Sequence, residues 1–198
     1  MKIRNGMATL LLVFVLSACA TYSKVDTGQR VPVGEGITVT AVGGWASISH
    51  QLISNTGADA IWTVDGPSIN HLTFYSAIRS GEPMLVVPNS DVELPVWRTG
   101  MTEPDVMEFV EGSLAKANKL PFIETENLRP HTFLGQPGFA FEFNLVNQKQ
   151  LEIRGLVIGT QAGGVLRMMT YTAPKLHFFA KDEASARAIA ATAQLTGS

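Results

Sequence analysis

The first 36 positions carry no sustained two-residue or helical alternation. A nine-residue apolar run, Ala8 to Leu16, is followed by a polar stretch from Ala20 to Glu35 punctuated by Gly28, Pro32 and Gly34. Alternation starts at Ile37. Ile37 to Val42 (ITVTAV) places β-branched residues at every second position and predicts a strand, which Gly43-Gly44 breaks; Trp45 to Ile53 predicts a second, weaker one. After the turn at Asn55-Thr56-Gly57, Ala60 to Val64 and Ile69 to Ile78 predict a hairpin closed by Asp65-Gly66-Pro67, and Ser80-Gly81-Glu82-Pro83 ends it. Residues 84–101 are irregular, with an extended piece at Met84 to Val87.

The clearest helix follows. Thr102 supplies an N-cap oxygen, and Glu103-Pro104-Asp105 fills the first turn with acids that suit the helix dipole and a proline that needs no N–H there. Val106, Phe109, Val110, Leu114 and Ala117 then share one face, and Asn118-Lys119-Leu120-Pro121 stops the run. Beyond Pro130 the period returns to two. Phe139, Phe141, Phe143 and Leu145 alternate with Ala140, Glu142 and Asn144; after a turn at Asn147 to Gln150, Leu151 to Gly159 comes back; Gln161 to Gly164 turns again, and Val165 to Thr172 is a third strand. This is an antiparallel meander with one face, at least, covered. Pro174 to Ala180 reads as a short helical turn. Asp182 is expected to cap a last helix, Glu183 to Leu195, with Ala184, Ala188, Ile189 and Leu195 inward. The pattern gives a single α+β domain over residues 37–198, with no internal repeat.

The apolar run decides where the chain goes. Lys2 and Arg4 precede it, and it falls well short of the roughly 20 residues a spanning helix needs, so residues 1–18 read as a signal peptide. Leu16-Ser17-Ala18-Cys19 resembles the bacterial lipobox. That resemblance implies cleavage before Cys19, diacylglyceryl attachment to its sulfur, and residues 19–36 as a lipidated cysteine with its tether. Ala20, in place of an aspartate, implies sorting to the outer membrane, facing the periplasm, rather than to the inner membrane.

Charge and cysteine count narrow the rest. The chain has a formal charge of −2, and the leader holds two bases and no acid, so the mature chain stands at −4. No basic cluster occurs, which argues against nucleic acid as a partner. Cys19 is the only cysteine, so disulfides, cysteine metal sites and thiol catalysis are excluded once it is lipidated.

The order of helix, three long strands, turn and helix resembles the Mog1/PsbP-like α/β sandwich, a mainly antiparallel sheet flanked by helices. The likeness is carried by Phe133-Leu134-Gly135-Gln136-Pro137-Gly138-Phe139, Gly164-Val165-Leu166-Arg167, Tyr171-Thr172-Ala173-Pro174 and Phe178-Phe179, over roughly residues 103–195. The first half, with Trp62-Thr63-Val64-Asp65-Gly66-Pro67 and Leu72-Thr73-Phe74, resembles a group of uncharacterised proteobacterial lipoproteins. The superfamily holds accessory and binding proteins with unrelated tasks, and none of their binding residues maps onto this chain.

Catalytic signatures are sparse. Ser113-Leu114-Ala115-Lys116 fits S-x-x-K, but 12 serines and 7 lysines in 198 residues give about 0.4 such matches by chance, and the S-D-N and K-T-G companions are missing. Both residues fit the polar side of the helix. No G-x-S-x-G elbow occurs, and His50, His71, His131 and His177 show no paired-ligand spacing. Neither a metal nor a cofactor is implied. The distinctive polar and aromatic cluster is Trp62, Asp65 and His71 around the Gly66-Pro67 turn; Arg129-Pro130-His131 is a lesser one. Trp97 and Arg98, in the irregular middle, are a candidate contact point.

The expectation is a non-enzymatic, periplasm-facing lipoprotein: a binding or assembly module of the envelope, held to the membrane through Cys19 and meeting an envelope protein partner. Trp62, Asp65, His71, Trp97 and Arg98 form its candidate binding surface. The alternatives are an envelope hydrolase using Asp65 and His71 as acid and base, and a structural or stress-related surface protein with no defined small ligand.

Overall fold

The computed structural model describes residues 21–53 and 56–196. The expected signal peptide and Cys19 lie outside the described residues. Eleven strands are described: β1 (Tyr22–Lys24), β2 (Arg30–Pro32), β3 (Ile37–Thr40), β4 (Ala46–Ile48), β5 (Ala60–Thr63), β6 (His71–Ile78), β7 (Glu124–Phe133), β8 (Gln136–Val146), β9 (Glu152–Thr160), β10 (Leu166–Pro174) and β11 (Gln194–Leu195). The helices are α1 (His50–Ile53), α2 (Glu103–Asn118) and α3 (Ala180–Ala191). Eight strands form one antiparallel sheet in the order β1-β4-β5-β6-β10-β9-β8-β7, and β11-β3-β2 form a small second sheet.

Both faces of the large sheet are covered. On one, Leu72, Phe74, Ala140, Leu156, Ile158, Met169 and Tyr171 pack with Ala186, Ile189 and Ala190 of α3 and with Ile37 and Val39 of the small sheet. On the other, Tyr75, Phe139, Phe141, Phe143, Val157 and Met168 pack with Val106, Phe109 and Val110 of α2. Two glycines make room for this. Phe143 pairs with Gly155 and Phe139 with Gly159, and a Cβ at either glycine would run into the facing ring. The glycines inside β9 are therefore sockets for aromatic rings.

Helix α2 begins as predicted. Thr102 and Asp105 form a reciprocal capping box, and Lys119, at φ 56°, ends the helix in the left-handed region. Ser113 departs from expectation: it is fully buried, with Oγ donating to the Phe109 carbonyl at 2.7 Å, while Lys116 reaches the Glu93 carbonyl at 2.9 Å. The two face different surroundings, and the S-x-x-K pattern has no catalytic geometry. Residues 84–101 contain no regular element, yet they cover α2: Met84 and Trp97 belong to its core, and Trp97 pairs with the Gly81–Glu82 backbone.

Four further expectations are corrected. The stretch 21–35 is not a free tether. β1 pairs with β4, β2 pairs with β3, and Val25 and Val33 are buried at 4% and 1% exposure. Its apolar residues are too widely spaced to show a period, but Val25 and Val33 face the core and Val31 packs against it. Trp45 to Ile53 is a short strand followed by a helical turn. β7 was not expected, because Pro130 and mostly polar side chains mask it; it tolerates both as an edge strand with a register shift between Glu126 and Arg129. The last helix starts at Ala180, and Asp182 is inside its first turn rather than capping it. Ala186, Ile189 and Ala190 are its buried residues, Ala184 is exposed, and Leu195 belongs to β11.

One charged side chain is buried in the sheet. Glu142, 4% exposed, accepts from Arg129 Nη2 at 2.7 Å and from Arg187 Nη2 at 3.1 Å, tying β8 to β7 and α3. Burial alone would raise its pKa, but the hydrogen bonds from Arg129 and Arg187 outweigh it and hold the carboxyl below its usual value.

Two substitutions test these assignments by the midpoint of urea unfolding. Val33→Ala is expected to cost about 1.5–3 kcal/mol, against almost nothing for a residue in a loose tether. Gly155→Ala is expected to cost about 1–3 kcal/mol through overpacking against Phe143, where a merely flexible glycine would show little loss.

Candidate functional site

Strand directions bring one set of termini together. The C-terminal ends of β5, β8 and β10 and the N-terminal ends of β6, β7 and β9 fall at the same end of the large sheet. There the chain leaving α2, the β8–β9 turn and the β5–β6 loop surround a furrow of three adjoining cavities. The first, about 360 Å³, lies between Leu120-Pro121-Phe122, the end of β8 and the start of β9, with Lys175 at its rim. The second, about 230 Å³, shares Leu145 and Ile153 with the first and is lined also by Pro67, His71, Leu114 and Phe143. The third, about 490 Å³, is more polar and shares Ser68, Asn118 and Asn147 with the second.

The furrow is apolar at its centre and charged at its edge. Phe122 is 71% exposed, and Val146, Leu151 and Leu176 are exposed large apolar residues at this same end. Lys175 pairs with Glu152 at 3.3 Å across the rim. Asn144 lines the first cavity; its Nδ2 donates to Glu126 at 3.0 Å, and its Oδ1 is buried without a hydrogen-bond partner among the described residues. The chemistry on offer is recognition: an apolar floor and a salt-bridged rim.

The candidate residues from the sequence separate. Trp62 is 1% exposed, edge-on to Phe74 at 5.3 Å, and Trp97 is 1% exposed with its indole N–H 3.3 Å from Gln161 Oε1; both are core residues and neither offers a contact surface. Arg98 is exposed. Asp65 is held on the α3 side. Both its carboxylate oxygens accept from Lys181 Nζ at 2.7 Å, and Oδ2 also accepts from Asn70 at 2.9 Å. The hydrogen bond to Asp65 raises the pKa of Lys181. His71 instead lines the second cavity, which Asp65 does not. The acid and the imidazole do not converge, so the Asp65–His71 hydrolase pair has no geometric basis. The four histidines are scattered over α1, β6, β7 and the turn 175–179, and no group of three potential metal ligands occurs among the described residues.

Asn70 has no distinctive signal in the sequence. It is fully buried, accepts from the backbone N–H groups of Val64 and Asp65 at 3.0 Å, and donates to Asp65 and to Asp182 of α3. It shapes the Asp65-Gly66-Pro67 turn and so positions Pro67 and His71. Phe122 likewise has no periodic partner; only its place just after a helix stop marked it as a loop residue.

No protein-family model matches the chain, and the comparison with curated proteins finds no match. Among solved structures, cyanobacterial PsbP (CyanoP) from Synechocystis sp. PCC 6803 superposes with a TM-score of 0.55 at 15% identity, covering 93% of this chain and 98% of that one. The chain has a PsbP-like fold. LpqN of Mycobacterium tuberculosis, a protein involved in cell envelope biogenesis, matches at 11% identity with a TM-score of 0.38, covering 88% and 90% of the two chains; so low a score carries no argument. The PsbP-like fold observed is the α+β sandwich expected from the sequence. Among the described residues no helix is long and apolar enough to cross a membrane.

His71 gives the furrow a pH signature. Burial pushes its pKa below the ordinary 6.5, opposed by a hydrogen bond with the Pro67 backbone. The native state therefore binds fewer protons than the unfolded chain below 6.5, so stability is full above that pH and falls as the pH drops through it. His71→Gln is expected to flatten this acid limb in urea titrations between neutrality and pH 5. The slope that remains is expected from His131, which burial and the nearby Arg129 and Arg187 shift in the same direction.

Proposed function

We propose that this chain is a periplasm-facing lipoprotein of the bacterial outer membrane, anchored through Cys19, whose PsbP-like domain is a non-enzymatic binding module. Its ligand is a protein partner of the cell envelope that places an apolar side chain in the furrow. The observation that carries the reading is the furrow itself, with Phe122 largely exposed above a floor of Leu145, Val146 and Ile153 and the unpartnered Asn144 Oδ1 beside it. Exposed aromatic residues over apolar pockets supply the anchors of protein interfaces. Asp65 and His71, the acid and base an envelope hydrolase would use, lie apart, and this favours binding over hydrolysis. The lipobox supports the anchor and Ala20 the outer-membrane destination.

The contact surface differs from the one the sequence pointed to. Of the five residues first considered, His71 lines the furrow. Phe122, Leu145, Val146 and Asn144 take the place of Trp62 and Trp97.

A photo-crosslinking residue placed at Phe122 in cells is expected to capture a discrete partner that the same residue at Thr99 does not. Val146→Asp is expected to abolish that adduct, with a change in unfolding midpoint below about 0.5 kcal/mol, as for other exposed positions. Equal labelling at Phe122 and Thr99 would end the furrow assignment.

A further inference from the structure

The correction at the N-terminus leaves almost no slack between the anchor and the fold. Only Ala20 separates Cys19 from Thr21, whose carbonyl accepts from the Ser49 N–H at 3.0 Å. The next residue, Tyr22, is already in register with Ile48. Two residue steps reach about 7 Å at most, so a lipid on Cys19 brings the Thr21–Ser49 corner to the headgroup level.

That corner has the character of an interfacial surface. Tyr22 is 47% exposed, and Leu52 is 59% exposed on the helical turn that opens from Ser49. Neither residues 21–23 nor residues 47–53 include an Asp or Glu, so these two segments place no carboxylate of their own against anionic headgroups. Tyrosine is enriched at bilayer interfaces, where its ring sits in apolar surroundings and its hydroxyl in water.

The Phe122 end of the furrow lies far from this corner. β1 and β7 are opposite edges of the eight-stranded sheet, seven strand spacings apart, or about 34 Å at ~4.8 Å each. Tyr22 pairs with Ile48, at the end of β4 remote from Ala46 and its partner Thr63, whereas Phe122 precedes β7 at the Thr63 end of the strands.

We infer that the domain rests directly on the lipid surface through Tyr22 and Leu52, with the furrow at Phe122 turned away from the bilayer. The inference rests on lipidation of Cys19. It makes the protein a fixed-orientation platform, in which the short connection sets the direction the furrow faces. A module on a long tether could sample all directions; this one presents its furrow to partners approaching from the periplasm.

The test uses the full lipidated chain reconstituted in phosphatidylethanolamine and phosphatidylglycerol vesicles. Cys19 is the only cysteine and its sulfur is alkylated, so Leu52→Cys, Tyr22→Cys and Phe122→Cys each create a single site for a spin label. The labels at 52 and 22 are expected to be several-fold less accessible to a water-soluble nickel complex, and more accessible to oxygen, than the label at 122. Equal nickel accessibility at all three positions overturns the inference. So does protection at 52 that vanishes when the protein is diluted in lipid, because a second copy would then be the cover. The mass of the N-terminal peptide separates the two levels. An unmodified Cys19 removes the anchor together with this inference, whereas a lipidated Cys19 with a water-exposed label at 52 removes the inference alone.

Discussion

The structure depends on covering both faces of one antiparallel sheet, and the contact that makes this feasible is between β8 and β9. Phe139, Phe141 and Phe143 all project to the α2 face, and Gly155 and Gly159 give two of the rings their depth. Fully burying a phenylalanine side chain contributes about 1.5–3 kcal/mol, so this row of three is a large share of the margin a single domain retains. With a single cysteine the chain can form no disulfide within itself, and that margin comes from packing. The opposite face is closed by α3 through small residues, Ala186 and Ala190, which let the helix sit close. Glu142 is the exception on that face. Its two arginine partners make its burial tolerable and link β7, β8 and α3.

Covering both faces leaves the ends of the sandwich as the places for function. At one end, loops that close the sheet around the chain leaving α2 do not meet, and the furrow is the gap between them. The elements that build it are packed from below: Leu114 from α2 and Phe143 from β8 line it and also belong to a core cluster. At the other end, β1 ties the N-terminus into the sheet edge. The furrow and the N-terminal strand therefore lie at opposite ends of the strands of one sheet.

Much of the fold was legible in the sequence because its strongest signals are local. The capping box at Thr102, the period-two run from Phe139, and the turns at Asp65-Gly66-Pro67 and Asn147 to Gln150 depend on neighbours a few residues away. β7 was hidden because an edge strand needs neither an apolar face nor every N–H, so Pro130 and its polar neighbours looked like a loop. β1 and β2 were hidden because three-residue strands are too short to show alternation. Ser113 was misplaced because a serine at a small buried position satisfies its hydroxyl within its own helix.

The site was less legible, for a reason that applies to Trp62 and Trp97 alike. A tryptophan beside turn residues has the same sequence signature whether its ring points into a groove or into the core, and here both rings point inward. The sequence by itself determined the class of fold, the single cysteine, and the absence of any basic run along the chain, since these rest on local pattern and residue counts. Tertiary structure alone decided that Asp65 faces α3 while His71 faces the furrow, that Phe122, Val146 and Asn144 meet, and that residues 22–33 are paired into the two sheets. Those outcomes depend on strand order and on which face each residue takes, and both are set by long-range pairing between segments far apart in the chain.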